Sequence, residues 1–527
     1  MLKKLLLVSI PVFLFSNYLI KLDASLKHNL RTLNGQGIVV IDYFGDNLLA
    51  LSDGNGLKGL TEQGIKYQII DIDPSQGNYQ IVWVFDSKAR ERLRDIGKIV
   101  AHEDDLYLLN TKDQGDIVEL NKLKVKLKNL SFDPMITSKD ARLSFQPVVK
   151  KDTLIQEMAN RVSLDTIMTF VRRLQNFRTR YSSTDSARAC ALWLRNKFIS
   201  YGFDSVYAET FSASYSANVI AVKKGMVYPG KNYVVGCGHY DCTSGTPTTF
   251  APGADDNGTG TTMALEAARI LRNYRFEYSI RLIGFGGEEQ GLLGSAYYAQ
   301  RARSRGDSVL GAINGDMFAY TTPNRDTLMI INDTTYRSNL WLASYFSTCA
   351  DTYTTLKKRI WTGRRAQSDH ASFSRYGYSA IQERENLNVS NPYYHTTGDT
   401  IGGGFNAQTM FYQGVRAAVA TIASLAIPYR TGIANDFNGK VLDAEFNLYP
   451  SVIRAQKLKI RYVIPYSTTL KFVLYNVLGQ IKMSQIINLR TSGILEIDLK
   501  NCLLPGIYFI QLEIEKRSVI RKIVISG

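Results

Sequence analysis

Cysteine is scarce in this chain, which has five cysteines among its 527 residues. Small secreted domains that depend on disulfides carry cysteines at a much higher density and usually in even number, so this sequence is not a disulfide scaffold. Cys237 and Cys242 lie close enough in sequence to form a pair. A small buried strand residue is the alternative for Cys237, and it is the one we favour.

Long apolar runs are confined to the N-terminus. Lys3 and Lys4 precede an apolar run from Leu5 to Phe15, which is the pattern of a secretory signal peptide. A membrane anchor is the alternative, but the run is shorter than the roughly 20 residues that a spanning helix needs. We therefore predict a cleaved signal peptide over residues 1–24 and no stable membrane insertion.

Dense runs of basic residues are absent, although the net charge is +16. The sequence also has no helix-turn-helix, zinc-finger or RNA-binding signature. The positive charge therefore predicts a solvated basic surface, and no nucleic-acid partner is expected. With 45% hydrophobic and 21% charged residues the chain is ordinary globular material, and its length predicts about two to four domains.

The pattern of elements divides the chain into three parts. Residues 25–150 hold short strand-like pieces and predict a small β-rich or mixed module. Over 152–428 strands alternate with amphipathic helices, which predicts an α/β domain with a mostly parallel central sheet flanked by helices. A turn-rich linker is expected over 429–439. The β-rich runs of 440–527 predict a small immunoglobulin-like β-sandwich.

Histidines and carboxylates of the central domain follow its predicted strands. Ligands of open α/β sheets bind beyond the carboxyl ends of the strands, so we expect these side chains to converge there. The group consists of His239 in "GCGHYDC", Asp255 and Asp256 in "PGADDNGTG", Glu288 and Glu289 in "GFGGEEQG", Asp316 in "INGDM", and His395 in "NPYYHTTGD".

These residue types predict a zinc site. Imidazoles and carboxylates suit zinc, and a single zinc needs about three protein ligands. Five candidates and a spare glutamate fit two metals that share a bridging carboxylate, an arrangement known from hydrolases. One glutamate of the adjacent pair Glu288 and Glu289 can then be a ligand while the other acts as general base, because the metal charge keeps both ionised.

Each residue taken alone also has a structural explanation. Asp255 lies in "DDNG", which is strong turn chemistry. Asp316 is suited to cap a helix, and His395 lies in a polar loop. The joint occurrence of these residues, in this order, is what favours the metal site.

The ordered set of motifs resembles the M28 family of zinc peptidases, and in particular the dinuclear bacterial leucyl aminopeptidases, over about residues 155–428. The resemblance implies that His239 and Asp316 bind one zinc. It implies that Glu289 and His395 bind the other zinc, and that Asp255 bridges the two.

The resemblance also implies roles for residues that do not bind metal. Glu288 is expected to be the general base, and Asp241 the acid that orients the base or the histidine ligand. Asp369 and His370, in "QSDHASF", are expected to be structural or to face the substrate. The implied reaction is hydrolysis of a peptide bond by water that Glu288 deprotonates.

Removal of N-terminal residues from peptides or proteins is the activity that we expect. A carboxypeptidase or dipeptidase of the same family, or a glutaminyl cyclase of the same fold with one zinc, is the enzymatic alternative. A surface adhesin with an inert peptidase domain is the non-enzymatic one. A phosphate-binding loop is excluded for "GADDNGTG", because it lacks the Gly-Lys-Ser/Thr sequence.

The C-terminal part shows a second resemblance. The stretches "LYNVLGQ", "LPGIYFIQLE" and "RKIVISG" are similar to the sorting domain of cargo of the bacterial type IX secretion system, although "LYPSV" replaces the usual opening Tyr-Pro-Asn-Pro. This resemblance implies export through the periplasm to the cell surface or the medium, with the secretion machinery as a partner.

The module at 25–150 has two expected roles. Its place between signal peptide and central domain, with Lys150 and Lys151 just before that domain, favours a pro-region. A permanent lid or docking surface is the alternative.

Overall fold

The protein is represented by a computed structural model. The structure describes residues 18–29, 33, 36–136, 148–429, 445–449, 452–453, 457–463, 468–490, 492–499, 505–514 and 517–525. The predicted signal peptide therefore lies outside the described residues up to position 17, and the predicted linker does so from position 430. The chain separates into two compact units, Met1–Pro428 and Tyr429–Gly527.

The N-terminal module contains two four-stranded antiparallel sheets, with strand orders β2-β3-β1-β4 and β6-β7-β5-β8. Its strands are β1 (Tyr18–Asp23), β2 (Ile38–Phe44), β3 (Asn47–Ser52), β4 (Tyr67–Asp71), β5 (Asn78–Val84), β6 (Lys98–Glu103), β7 (Leu106–Thr111) and β8 (Val125–Asn129). Its helices are α1 (Gly54–Glu62), α2 (Ser87–Ile96) and α3 (Gln114–Asn121). Strand β1 precedes residue 25, where the sequence predicted the start of the module, and its Leu19 and Ile20 are fully buried.

An eight-stranded mixed sheet forms the centre of the larger unit, in the order β15-β14-β16-β13-β11-β12-β10-β9. Its strands are β9 (Ser205–Glu209), β10 (Asn218–Lys223), β11 (Tyr228–His239), β12 (Tyr278–Phe285), β13 (Ser308–Gly315), β14 (Leu328–Asp333), β15 (Lys358–Gly363) and β16 (Ala380–Arg384). The four inner strands β16, β13, β11 and β12 are parallel. Antiparallel pairs occur toward both edges.

Helices cover both faces of this sheet. They are α4 (Thr153–Asn160), α5 (Leu164–Gln175), α6 (Asp185–Ser200), α7 (Gly258–Leu271), α8 (Leu293–Ser304), α9 (Leu340–Tyr353), α10 (Asp369–Arg375) and α11 (Gln408–Ala426). One face packs on a large apolar cluster that includes α5, α7 and α11. The other face packs on a cluster from α8 and α10. The predicted α/β architecture is confirmed, and the inner strands supply its parallel part.

The N-terminal module is tied to the central domain by buried charges. Lys128 of β8 donates to both carboxylate oxygens of Asp42 of β2, at 2.8 and 2.7 Å. Tyr336, from the central domain, donates to Asp42 at 2.7 Å. Arg375 of α10 donates to the carbonyl oxygens of Ile41, Ser131 and Asp133 at 2.7, 3.2 and 2.9 Å. Buried pairs of this kind are strongly destabilised when one partner is lost.

The C-terminal unit is built of strands. They are β17 (Glu445–Tyr449), β18 (Val452–Ile453), β19 (Lys457–Val463), β20 (Thr468–Asn476), β21 (Ile481–Leu489), β22 (Ser492–Asp498), β23 (Gly506–Ile514) and β24 (Arg517–Ile525). They form a three-stranded sheet, β17-β19-β22, and a five-stranded sheet, β18-β24-β23-β20-β21. Both sheets contribute to one apolar cluster, as in a β-sandwich.

Two further expectations can be compared with the described residues. Cys190, Cys237, Cys242 and Cys349 are all buried and free, so Cys237 is a buried strand residue and is not paired with Cys242. None of the helices in the described part of the chain has the length and apolar character needed to cross a membrane.

Candidate metal centre

Three neighbouring parallel strands place most of the predicted site residues. His239 is the last residue of β11, Asp316 directly follows β13, and Glu288 and Glu289 lie in the turn after β12. Because β11 pairs with both β12 and β13 in parallel, their carboxyl ends meet at one edge of the sheet. All four residues are at most 2% exposed.

Glycines let the first turn of α7 approach this edge. A Cβ at Gly260 would lie 1.9 Å from the carbonyl oxygen of Gly315, which immediately precedes Asp316. Asn257 caps the helix by accepting from the backbone N–H of Gly260 at 2.7 Å, and its side chain donates to the same Gly315 oxygen at 2.9 Å. The cap holds the preceding residue, Asp256, against the ends of β11 and β13.

Asp256 lies between the two histidines. The Nε2 of His239 is 3.5 Å from one carboxylate oxygen of Asp256, and the Nε2 of His395 is 3.3 Å from the other. The same nitrogen of His239 is 3.6 Å from Asp316 Oδ1, and that of His395 is 3.1 Å from Glu289 Oε2. Two groups of potential ligands, His239–Asp256–Asp316 and Asp256–Glu289–His395, therefore share one carboxylate.

Asp255 does not join this cluster. Its carboxylate accepts from the backbone N–H of Ala319 at 2.9 Å and from the side chain of Asn391 at 3.4 Å. Asp399 accepts from the backbone N–H groups of both Asp255 and Asp256, at 3.0 and 2.9 Å, and so fixes which aspartate points inward. The groups of potential ligands therefore contain Asp256 and not Asp255, the residue expected to be shared.

The chemistry of these atoms fits a bound cation. The cluster offers two imidazoles and several carboxylates, the donor set that suits zinc. Buried polar atoms normally have a hydrogen-bond partner. Within the described part of the chain, six residues of the cluster each have at least one buried side-chain atom without a hydrogen-bond partner. They are His239, Asp256, Glu288, Glu289, Asp316 and His395.

Asp241 holds the loop that carries the glutamate pair. Its two carboxylate oxygens accept from the backbone N–H groups of Glu288 and Glu289, at 3.2 and 3.1 Å. Its backbone oxygen lies 3.1 Å from Nδ1 of His239, which leaves Nε2 of that ring facing the cluster. Gly287, just before the pair, has a positive φ of 70°, which a residue with a side chain rarely adopts. Asp241 therefore orients both the glutamate pair and the ring of His239.

The electrostatics distinguish the two glutamates. Burial raises the pKa of Glu288 well above its usual value, against the effects of Lys126 and His239. Burial acts in the same direction on Glu289, but His395 and Lys126 dominate and lower its pKa to about 2. Glu288 is therefore the carboxylate of the pair that more readily takes up a proton, and Glu289 the one that stays ionised.

A lysine from the N-terminal module enters the cluster. The Nζ of Lys126, in β8, lies 2.5 Å from Glu288 Oε2 and 3.4 Å from Glu289 Oε2. Its side chain is 5% exposed. On the same module, Asn121 donates to the backbone oxygen of Glu289 at 2.6 Å. The module thus contacts the glutamate pair directly.

His370 and Asp369 lie outside the two ligand groups. Both are buried in α10, and Nε2 of His370 is 3.6 Å from Asp333 Oδ2. Both are therefore buried residues that belong to none of the groups of potential ligands, although the charges of Asp369 and His239 interact.

Sequence reasoning missed residues that only the folded chain brings to the site. Asp256 was within the quoted motif, but its position could not be separated from that of Asp255. Lys126 lies 162 residues from Glu288, and no motif surrounds it. Gln382, which donates to Asp316 Oδ2 at 3.0 Å, lies within β16, and no motif marks it in the sequence.

Two sequence families match this chain. Residues 218–410 match Peptidase family M28, and residues 449–526 match the Secretion system C-terminal sorting domain. The first match contains all the site residues between His239 and His395. The second coincides with the strand-rich C-terminal unit and points to a secreted or cell-surface protein.

Curated relatives share the central part of the chain. The chain is 30% identical over 263 residues to a "Probable leucine aminopeptidase" of Trichophyton verrucosum, and the aligned region covers 47% of this chain and 68% of the relative. It is 29% identical over 306 residues to a "Probable leucine aminopeptidase" of Arthroderma otae, which covers 54% of this chain and 82% of the relative.

Solved structures share the fold. The LapA aminopeptidase of Legionella pneumophila superposes with a TM-score of 0.55 at 20% identity and covers 66% of this chain and 98% of its own. LapB of the same organism superposes with a TM-score of 0.53 at 18% identity, and the match covers 66% of this chain and 99% of LapB.

A third group of potential ligands, His239, Glu288 and Glu289, overlaps the two that share Asp256, and a carboxylate shared between two ligand groups is the pattern of two-metal hydrolases. Together with the matches above, this settles the family: the chain belongs to peptidase family M28.

Proposed function

We propose that this protein is an exported aminopeptidase with two zinc ions per chain. His239 and Asp316 would hold one zinc, and Glu289 and His395 would hold the other. Asp256, and not Asp255, would contribute to both. Leucine aminopeptidases among the curated relatives support the reaction class.

One observation carries this proposal, the position of Asp256. Its two oxygens face two different histidines, and each oxygen belongs to a separate group of potential ligands. A carboxylate that served a single metal would have no need to be shared in this way. A site with one zinc, such as that of a cyclase, is therefore less well supported than a two-metal site.

Bound zinc would supply Lewis acidity at the scissile carbonyl and make a coordinated water more acidic. Glu288 is the residue that moves the proton. Its carboxylate lies 3.8 Å from Nε2 of His239 and belongs to neither of the two ligand groups that share Asp256, so it can serve as the general base. Asp241 fixes the backbone of Glu288. Glu288 accepts the proton of the attacking water and then donates it to the leaving amine.

The glutamate pair also supports recognition of an amine. Glu288 and Glu289 already hold an ammonium group, that of Lys126. A peptide with a free N-terminus carries the same kind of group, and a charge-assisted hydrogen bond to a buried carboxylate is strong. This favours release of N-terminal residues over cleavage in the middle of a chain.

The same contact supports a pro-region role for the N-terminal module. With Lys126 in place, an ammonium from the chain itself occupies the carboxylates that a substrate amine and the catalytic water need. We propose that the module restrains activity until export and is then released, and that the mature enzyme begins between the module and α4. We further propose that the unit at 440–527 directs export through the periplasm by the type IX route.

Zinc content and hydrolysis test the main proposal together. We expect about two zinc atoms per chain, the two-metal pattern, and hydrolysis of aminoacyl-anilides that stops on chelation and returns with zinc. One tightly held zinc, with cyclisation of N-terminal glutamine instead of hydrolysis, would support the cyclase alternative. A protein that holds no metal and cleaves nothing would support the inert adhesin.

A further inference from the structure

A pocket beside the metal centre is lined by two arginines. Asp256 and Asp316 form one end of this pocket, and Arg365 and Arg384 lie in its wall. Arg384 is the last residue of β16, and Arg365 lies in the loop between β15 and α10. Neither arginine belonged to any motif of the sequence, and neither has a part in the mechanism above.

Neither guanidinium has a partner of its own within the described part of the chain. The Nε atoms of Arg365 and Arg384 are both buried without a hydrogen-bond partner, and neither side chain forms an ion pair with a carboxylate. Both residues are only partly exposed. Arginines withdrawn from water are normally paired, because an unpaired buried charge is costly. Two such side chains in one pocket wall therefore indicate that the pocket takes a group of opposite charge.

The charges around the two arginines differ. Burial lowers the pKa of Arg384, but Asp316 and Glu385 raise it more, so this arginine is partly balanced by the acids of the site. Burial and the nearby Arg384 lower the pKa of Arg365 to about 9, despite Tyr394 and Asp316. Arg365 is thus the less balanced of the two, and an anion between them would relieve their mutual repulsion.

The rest of the wall is mixed in character. Its apolar and aromatic members are Phe85, Met317, Leu387, Val389 and Tyr394, its polar members include Gln367, Asn386 and Asn391, and Lys126 and Glu385 are charged. The planar guanidinium group binds a carboxylate through two parallel hydrogen bonds, which gives both strength and orientation. A carboxylate is the anionic group that peptides carry.

We propose that this pocket binds a carboxylate of the peptide substrate, with Arg365 as its main partner and Arg384 as the second. The inference rests on the proposed aminopeptidase function and narrows its substrate class. The carboxylate has two sources: the side chain of an N-terminal aspartate or glutamate, or the C-terminal carboxylate of a dipeptide. Either source places the charge next to the reacting bond.

Matched substrates test the first source. For the zinc-loaded protein as it is secreted, kcat/KM is compared for glutamyl-anilide and glutaminyl-anilide, which differ little in shape but differ in charge. We expect the glutamyl substrate to be favoured by about 10- to 100-fold, the range for a charge-assisted hydrogen bond. Arg365→Gln should bring this ratio, taken between the two substrates within the variant itself, to about one, and Arg365→Lys should restore part of it.

Arg364→Gln is the control. Arg364 is the neighbouring arginine and is not among the residues that line the pocket; in the unprocessed chain its guanidinium contacts the Gly45 oxygen and Asp46 of the N-terminal module. The variant should keep the glutamyl preference of the parent protein.

Dipeptides test the second source. Leucyl-glycine is compared with leucyl-glycine amide, and a preference for the free acid that Arg365→Gln removes assigns the carboxylate to the C-terminus. A thermal-shift titration with free glutamate and glutamine provides a readout that needs no turnover, because a ligand that binds only the folded protein stabilises it. Glutamate should stabilise the parent protein more than glutamine does, and Arg365→Gln should remove the difference.

The outcomes separate the inference from the function on which it rests. The protein could cleave leucyl-anilide and yet prefer neither glutamyl-anilide nor free leucyl-glycine over its uncharged counterpart. If glutamate also stabilised the protein no more than glutamine does, the pocket assignment would be overturned and the proposed function would stand. An equal loss on every substrate in Arg365→Gln, with loss of zinc, also overturns it, since the arginines would then balance the acids of the metal centre. A protein that cleaves nothing overturns the proposed function, and the thermal shift still decides whether the pocket binds a carboxylate.

Discussion

The ammonium group of Lys126 lies 2.5 Å from the carboxylate of Glu288, although the two residues are 162 positions apart in the chain. A basic residue of the N-terminal module thereby meets the carboxylate to which we assign the proton transfer. Both side chains are at most 5% exposed, so water screens the contact very little.

Replacing this lysine should activate the unprocessed protein. In Lys126→Met the apolar part of the side chain is largely kept and the ammonium is lost. A substrate amine then no longer competes with the lysine ammonium for the carboxylates of Glu288 and Glu289. We expect kcat/KM of the unprocessed, zinc-loaded protein on aminoacyl-anilides to rise by about 10-fold or more, the size of a charge-assisted hydrogen bond.

Lys124→Met is the matched control for that change. Lys124 lies two residues earlier, and its exposed ammonium contacts only the carbonyl oxygen of Pro392, at 3.3 Å, among the described residues. Its loss should leave the rate unchanged. Equal rates for Lys126→Met and the parent protein would refute the restraining role of the lysine.

The two adjacent aspartates should respond differently to loss of charge. Asp256→Asn should lower the zinc content after dialysis, because the shared carboxylate contributes to both ligand groups. Asp255→Asn should keep its zinc and show mainly reduced thermal stability, since its carboxylate accepts the backbone N–H of Ala319. Elemental analysis and thermal melts of both variants check this assignment. Loss of zinc from Asp255→Asn alone would restore the original expectation.

Substitution of the two adjacent glutamates should also have different effects on kcat and on zinc binding. Glu288→Gln should keep zinc and lose about 10²- to 10⁴-fold in kcat, the usual cost of removing a general base. Glu289→Gln should instead weaken zinc binding, because Glu289 lies 3.1 Å from His395 in a ligand group. Kinetics with saturating zinc, together with zinc titration, distinguish the two. Reversed phenotypes would exchange the roles.

The C-terminal unit should be dispensable for catalysis. It forms a compact unit of its own with a separate apolar cluster, and every proposed ligand lies between His239 and His395. A chain that ends at Pro428 should therefore fold, bind zinc and hydrolyse aminoacyl-anilides at nearly the rate of the full chain. In the native host the same truncation should leave the enzyme in the periplasm. Loss of activity in a truncated protein that folds and binds zinc would disprove this independence.

The fold was largely predictable because its strands and helices follow local patterns. The stretches before His239, Glu288 and Asp316 are apolar and end in glycine-rich turns, and they form β11, β12 and β13 of the inner parallel sheet. Parallel strands place their following residues at one edge, so the convergence of these side chains could be anticipated from order alone.

The choice between Asp255 and Asp256 was not predictable in this way. Adjacent loop residues point in different directions, and which one faces inward depends on distant partners. Asp399, which accepts both backbone N–H groups, lies more than 140 residues away in sequence, and Ala319 is 64 residues from Asp255. The positions of Lys126 and of the arginine pair depend on contacts of the same long range, which no local motif records.

The buried hydrogen bonds between the N-terminal module and the central domain determine whether a single backbone cleavage would release the module. Before cleavage, the chain itself keeps Lys126 at a high effective concentration, which for short flexible connections is in the millimolar range. A cut before α4 removes only this contribution, while the hydrogen bonds from Tyr336 to Asp42 and from Arg375 to the backbone of the module remain. The nicked protein should therefore behave as a complex of two fragments, and full activity should follow degradation or dissociation of the smaller fragment, not the cut itself.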